Sequence, residues 1–480
     1  MSIPLVPLML ASELPAADIA PVRAPWDLSV IAEIERGNTD HVDDALAVAQ
    51  ALFSDRDRWL SKAERHDILR RAAGRIAERR EELALQAARE GGKPLVDSLV
   101  EVDRAVNSVE LCAHALAEER GSEIPMGLNR AAAGRLAFTT HEPIGPVVAI
   151  SAFNHPLNLI AHQVGPAVAA GCPVVVKPAA DTPISCMSFL EILREAGLPP
   201  EWAQGLVTTD LDAAQALATD PRVGFLSFIG SSRVGWMLRG ALAPGARCAL
   251  EHGGAAPVIV GPDADLDDLV PRLAKGGLYH AGQVCVSVQR VLAHRSLADE
   301  LTERLGVATE AAVVGDPTRA DTEIGPLIRP REVDRVEEWV AEAVAQGALL
   351  AAGGERISET AYAPTLLRDA PPSCRVESRE IFGPVMTISA YDELDGAIAR
   401  ANALPFPFQA AVFGRDVDML LRAARRLEAA SVLVNDHTAF RVDWMPFAGL
   451  REAGLGVGGI PYTFADMRVE KLIVLRSDGL

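Results

Sequence analysis

The period of the apolar positions changes several times along the chain. Residues Ala63–Arg89 and Val96–Ala117 carry apolar side chains at helical spacing, with many Arg and Glu on the other side. This predicts amphipathic helices whose charged faces are solvated surface rather than a binding patch. Arg120–Ala133 is interrupted by Gly121, Pro125 and Gly127, Gly134 follows, and Arg135–Thr140 looks extended. From Val147 short β-branched runs alternate with helical ones. Val147–Ile150 precedes a helix from about Pro156 to Ala170, stopped by Gly171; Val174–Val176 precedes a helix Ile184–Ala196, stopped by Gly197; Val223–Phe228 runs into a helix after Ser231. A second alternation begins at Pro257 and runs to about Asn435. Short apolar strands alternating with helices predict parallel sheets covered on both faces. The strand Lys471–Leu475 near the end has no obvious partner nearby, and no repeat or low-complexity segment occurs.

Length and charge narrow the class. At 480 residues the chain holds more than one domain. A formal net charge of −19 argues against nucleic acid or an anionic membrane as a general partner. The cysteines at 112, 172, 186, 248, 285 and 374 form no Cys-x-x-Cys pair and no metal-ligand spacing, so no metal site is expected and they read as reduced thiols of a cytoplasmic protein. The apolar stretch Ile3–Leu10 is too short for a signal peptide and lacks a basic residue before it, and no later run reaches membrane-spanning length.

Two segments suggest chemistry. Cys285 lies in Gly282-Gln283-Val284-Cys285-Val286-Ser287, and Leu250-Glu251-His252-Gly253-Gly254 lies upstream. A thiolate can attack a carbonyl carbon, and a carboxylate can activate the water that releases the acyl group. A lone Cys is more often buried filler. Four further segments accompany these two: Glu142-Pro143-Ile144-Gly145-Pro146-Val147-Val148 running into Phe153-Asn154-His155-Pro156-Leu157, then Val176-Lys177-Pro178-Ala179, Phe228-Ile229-Gly230-Ser231, and Glu380-Ile381-Phe382-Gly383-Pro384-Val385. In this order and spacing the chain resembles the aldehyde dehydrogenase superfamily over nearly its whole length. Phe440-Arg441-Val442-Asp443-Trp444-Met445-Pro446-Phe447 and Asn154-His155-Pro156-Leu157-Asn158 resemble the branch holding lactaldehyde, phosphonoacetaldehyde and non-phosphorylating glyceraldehyde-3-phosphate dehydrogenases.

The resemblance implies an α/β fold with two Rossmann-type parallel-sheet domains and a β oligomerisation arm. Residues 1–122 and 142–253 would bind the cofactor, 254–453 would form the catalytic domain, and 123–141 with 454–480 the arm of a homodimer or homotetramer. An edge strand of the chain's own sheet is the competing reading of the terminal strand. The implied reaction is NAD(P)-dependent oxidation of an aldehyde. Cys285 would form a thiohemiacetal whose oxyanion is held by Asn154 and the Cys285 N–H, and Glu251 would activate water to hydrolyse the thioester. Since CoA-acylating members often lack this Glu, Glu251 favours a free carboxylate product over acyl-CoA. A CoA-acylating semialdehyde enzyme and a non-catalytic cofactor-binding protein are the alternatives. His252, where Leu is usual, is expected to pack at its turn.

For the cofactor the resemblance implies contacts from Ile150, Ser151, Lys177, Ala180, Gly230, Ser231, Val234, Glu251, Glu380 and Phe382. On the residues alone, Ser231 also reads as an N-cap, Lys177 as a surface lysine, and Glu380 and Phe382 as a helix-end acid and a core aromatic. NAD-selective members usually carry Glu where Ala180 stands, so NAD and NADP both remain open, with Asp181 as a partial substitute. Arg104, His155 and Arg441 are expected at the substrate, the arginines binding an anion. Salt bridging is the competing reading for both. A third arginine expected before the nucleophile is Val284, which favours a short hydroxylated or monoanionic aldehyde, with Arg290 as a further candidate.

Overall fold

A computed structural model describes residues 3–479. In its first sheet the strands lie in the order Gly454–Leu455, Arg247–Glu251, Phe225–Ile229, Val147–Ile150, Val174–Lys177, Ala203–Gly205, all parallel except the first. Successive residues of a strand face opposite sides, and here both sides are dry. Val147, Ala149, Val174 and Val176 enter one core with the helices Lys62–Glu78, Leu95–Ala117, Asn158–Ala170 and Ile184–Glu195. Val148, Val175, Leu226 and Leu250 enter another with Thr39–Ser54, Leu211–Thr219 and Ser232–Ala241. Each fully buried valine contributes about 1.5–3 kcal/mol, which explains why these strands are apolar throughout instead of alternating.

Chain order runs outward from Val147–Ile150 to Ala203–Gly205, then crosses to Phe225–Ile229 on the opposite flank. The crevice at the carboxyl ends of Val147–Ile150 and Phe225–Ile229 is therefore a topological switch point, where open α/β sheets bind ligands. The second sheet, in the order Leu349–Ala352, Thr365–Arg368, Val385–Tyr391, Val288–His294, Ala256–Val260, Gln409–Phe413, Ser431–Val434, is parallel but for its first pair. It directs the amino ends of its central strands to that crevice: Cys285 precedes Val288–His294, and Glu380 precedes Val385–Tyr391.

The expected helix 63–89 is two helices, Lys62–Glu78 and Arg80–Gly91, broken at Arg79. The helix expected from Pro156 begins at Asn158, where Glu101 Oε1 accepts the N–H groups of Leu157 (2.9 Å) and Asn158 (3.0 Å). That contact corrects the reading of Val96–Ala117 as wholly solvated on its charged side. Asp97 and Glu101 are buried, and Glu101 is ion-paired with an equally buried Lys93.

Arg468–Arg476 pairs antiparallel with Arg135–Pro143 of the same chain along its full length, and Glu123–Ile124 pairs on the other edge. Residues 454–467, assigned from sequence to the arm, lie elsewhere: Gly454–Leu455 is a strand of the first sheet, and Ile460 and Phe464 fill its core. An N-terminal sheet of Leu5–Val6, Val30–Arg36 and Asp18–Arg23 was not expected from the pattern. Among the described residues, no helix is long and apolar enough to cross a membrane.

Candidate active site

Between the two sheets lies a cavity of about 450 Å³. Its lining includes Cys285, Glu251 and Asn154, together with Ile150, Ser151, Gly230, Ser231, Val234, Glu380 and Phe382 and the expected substrate residues Arg104, His155 and Arg441. Lys177 and Ala180 are not in its wall, although the intervening Ala179 is. Lys177 stands at the end of its strand and donates to Pro178 O at 3.3 Å; Ala180 is exposed.

Cys285 follows a tight turn in which His280 and Ala281 have positive φ and Gly282 sits against the Gly383 carbonyl. Asn154 Nδ2 donates to Gln283 O at 2.8 Å, tying the loop after Val147–Ile150 to the cysteine loop. The amide's second N–H stays available to a ligand. Burial pushes the Cys285 thiol up to about 12, opposed by Arg441, with Glu380 and Glu251 pushing the same way as burial. Glu251 ends its strand in register with Gly454, and its carboxyl is also raised by burial and lowered by Arg441. Gly458 gives it room, since a Cβ there would collide with Glu251 Oε1.

Glu380, raised to about 8 by burial, has an enclosed Oε1 without a hydrogen-bond partner, and a Cβ on Gly253 would overlap it. Ser151 Oγ is likewise enclosed and unpartnered. Ser231 precedes the helix Ser232–Ala241 without a side-chain capping bond, so the amides of its first turn face the cleft uncapped. Phe382, at positive φ, meets Phe153 edge-on at 5.9 Å. His252 packs edge-on against Phe228 and Trp236 and holds Gly230 O with Nδ1 at 3.0 Å, so its turn supports the small-residue segment.

The substrate side has a charge arrangement that the sequence did not disclose. Arg104 forks onto the buried Asp443, Nη2 to Oδ1 at 2.6 Å and Nε to Oδ2 at 3.2 Å. Asp443 also takes His162 Nε2 at 2.8 Å and Asn158 Nδ2 at 3.3 Å. Among the described residues Arg441 pairs with no carboxylate. Its guanidinium lies 3.6 Å over the Phe447 ring, Nη2 is 3.5 Å from His162 Nδ1, and the enclosed Nε has no partner. His155 is held neutral by burial and by the nearby cations Lys93 and Arg104, and its Nε2 meets Tyr279 OH at 3.0 Å. Arg290 does not reach the cavity: it donates to the carbonyls of Ala255, Arg400 and Ala401 beneath the second sheet. Asp443, His162 and Tyr279 were missed. Asp443 stands two residues after Arg441 in a segment already singled out, but its partner Arg104 is 339 positions away.

Residues 14–473 match the aldehyde dehydrogenase family. A 3-sulfolactaldehyde dehydrogenase of Priestia aryabhattai is 38% identical over 444 residues, covering 92% of each chain. The crystal structure of aldehyde dehydrogenase 21 from Physcomitrella patens with the reaction product succinate superposes with a TM-score of 0.95 at 33% identity, over 100% of both chains. A glyceraldehyde-3-phosphate dehydrogenase from Methanocaldococcus jannaschii complexed with NADP gives 0.91 at 33% identity, over 95% of this chain and 99% of that one. With nearly every residue inside the match, the chain belongs to the aldehyde dehydrogenase family and is an enzyme that oxidises an aldehyde with NAD or NADP.

Proposed function

We propose that this enzyme oxidises a short aldehyde carrying a single negative charge to the free acid, with Cys285 as nucleophile and Arg441 as the anion's partner. The observation that carries this reading is Arg441. It is the cavity's one guanidinium without a carboxylate partner among the described residues, whereas Arg104 is engaged by Asp443. A buried cation without a counterion is costly, and a substrate anion supplies one. With Val284 beside Cys285 instead of a third arginine, the cavity offers one free positive charge. Sulfolactaldehyde, the substrate in the Priestia relative's name, and the aldehyde that yields succinate each bear one charge on a short chain.

The residues present fit a nicotinamide dinucleotide. The uncapped amides after Ser231 suit its pyrophosphate, the unpartnered Glu380 Oε1 suits a ribose hydroxyl, and Phe382 suits support of the nicotinamide. Ile150, Ser151 and Val234 would wall this stretch, and Lys177 beside Ala180 would face the adenosine ribose. When bound, this cofactor accepts the hydride.

The protein's own groups do the rest. Cys285 loses its proton to bulk water and, as thiolate, binds the carbonyl carbon, whose C=O π pair moves to the oxygen; Asn154 Nδ2 and the Cys285 N–H hold that oxyanion. Loss of one such donor typically costs on the order of 10²–10³ in rate. Glu251, whose carboxyl is raised by burial, takes the proton from the water that hydrolyses the thioester. The exposed Leu472, Val474 and Leu475 of Arg468–Arg476 support pairing with a second subunit.

The test is an aldehyde panel with both cofactors and Cys285→Ala as control. Sulfonated and carboxylated short aldehydes should exceed neutral lactaldehyde in kcat/KM, and Arg441→Met should collapse that preference. A preference unchanged in Arg441→Met would sink the anion assignment, and turnover in Cys285→Ala would sink the nucleophile.

A further inference from the structure

The cleft contains a second charge pair whose position bears on cofactor choice. Asp181 lies in the loop Pro178–Asp181 that leaves the carboxyl end of Val174–Lys177, next to the exposed Ala180. Arg329 belongs to the other sheet's body, immediately before the helix Pro330–Ala345. Across the cleft Arg329 Nε reaches Asp181 Oδ1 at 2.7 Å and Nη2 reaches Oδ2 at 2.6 Å. Both oxygens are engaged in a planar fork, the arrangement in which guanidinium and carboxylate bind most specifically. The adjoining cavity, about 350 Å³, is lined by Asp181, Arg329 and Arg335 and shares Phe153, Glu380 and Phe382 with the main one, so the pair borders the dinucleotide cleft.

We infer that Arg329 is a cofactor-specificity residue: by holding the Asp181 carboxylate it keeps the ribose end of the cleft open to a 2′-phosphate, and so to NADP. This rests on the reading that Lys177 faces the adenosine ribose. In NAD-selective sites a free carboxylate accepts the ribose hydroxyls and repels a phosphate there. Here the position that would supply it is Ala180, and the adjacent carboxylate, Asp181, is tied down from the opposite wall. Lys177, Asp181 and Arg329 together carry one net positive charge. Without Arg329 the sum is zero and Asp181 is free to turn toward the ribose. Asp181 also stands close enough to Lys177 to favour its charged form, against the lowering caused by burial. Arg329 Nη1 makes no bond to Asp181, so the arginine can hold the carboxylate and still present a donor.

Beside a phosphate of nearly two charges, one unit of charge in a half-solvated cleft changes binding on the order of tenfold. The experiment measures calorimetric Kd values for NAD⁺ and NADP⁺ at low ionic strength, with kcat/KM alongside. The proteins are the full chain, Arg329→Leu, Arg329→Lys, Asp181→Asn, Arg329→Leu/Asp181→Asn and Lys177→Met. Arg329→Leu should weaken NADP⁺ relative to NAD⁺ about tenfold, and Arg329→Lys should keep most of the wild-type ratio. The double variant, with no carboxylate left to unmask, should return close to wild type. An unchanged NADP⁺/NAD⁺ ratio in Arg329→Leu, or a double variant that stays as weak for NADP⁺ as Arg329→Leu, overturns the inference provided Lys177→Met weakens cofactor binding. If Lys177→Met changes neither cofactor, the ribose is not at this loop and the underlying reading falls instead, taking the inference with it. The pair is partly exposed, 36% for Arg329 and 26% for Asp181, so the substitutions leave the cores intact.

Discussion

Converting Asp443 to Asn should widen the substrate range from one charge to two. In the folded protein Asp443 engages the Arg104 guanidinium through two bonds, 2.6 and 3.2 Å, and is itself buried. Asn retains one acceptor for Arg104 or His162 but removes the charge, so Arg104, which already lines the cavity, gains donors for a ligand. A hydrogen bond to a charged group contributes about 1.5–3 kcal/mol, which corresponds to roughly 10- to 100-fold in affinity. The kcat/KM ratio of a phosphorylated over a carboxylated or sulfonated aldehyde should therefore rise by at least about tenfold in Asp443→Asn. Breaking a buried ion pair from one side destabilises by about 3–5 kcal/mol, and His162 and Asn158 lose part of their partner as well. Assays accordingly run well below the variant's own Tm, with Asp443→Glu as a charge-retaining control. A ratio that stays at the wild-type value in a folded Asp443→Asn enzyme would show that Arg104 is not available to substrate even when released, and the one-charge reasoning would fail.

Three further outcomes follow from the buried groups. Glu251 acts as a base only when deprotonated, and burial raises its pKa, so acyl-enzyme hydrolysis should weaken as pH falls through a value above that of an ordinary glutamate. Glu251→Gln should leave a stopped-flow burst of reduced nicotinamide while abolishing the steady state; loss of the burst would move Glu251 to an earlier step. Lys93→Met leaves the fully buried Glu101 without its cation and should lower the denaturation midpoint by the equivalent of about 3–5 kcal/mol, with Lys93→Met/Glu101→Gln recovering part of it in the same titration.

The legible parts of this chain were those encoded over short distances. Gly171 and Gly197 sit at positive φ at the ends of their helices as the pattern implied, and the apolar runs at 147–150 and 174–176 became central strands buried on both faces. Cys285, Glu251 and Asn154, 131 positions apart at the extremes, could be grouped only because the flanking segments resemble a family; the structure brings them to one cavity. Pairings without a local signature stayed hidden. Asp97, Glu101 and Arg104 look like a hydrated helix face in sequence, yet their spacing of four and three residues also describes one stripe, and that stripe turns inward to buried partners. The engagement of Arg104 by Asp443 and of Asp181 by Arg329 decides how many charges each end of the cleft offers, and both depend on tertiary contact alone.

The edge strand Gly454–Leu455 affects how the two bodies can move. The chain leaves the first sheet after Glu251 and comes back at Gly454, directly opposite in the ladder. Two covalent crossings side by side act as a pivot, and points on a pivot move least. The strand Val174–Lys177, three places along the same sheet, lies roughly 14 Å from that line at the usual strand spacing, and Asp181 is in the loop that follows it. A breathing rotation would part the Asp181–Arg329 gate, where the dinucleotide's adenosine end would pass, while the glutamate near the pivot keeps its position. On the proposed mechanism, a large cofactor can thus be exchanged without rebuilding the surroundings of Glu251.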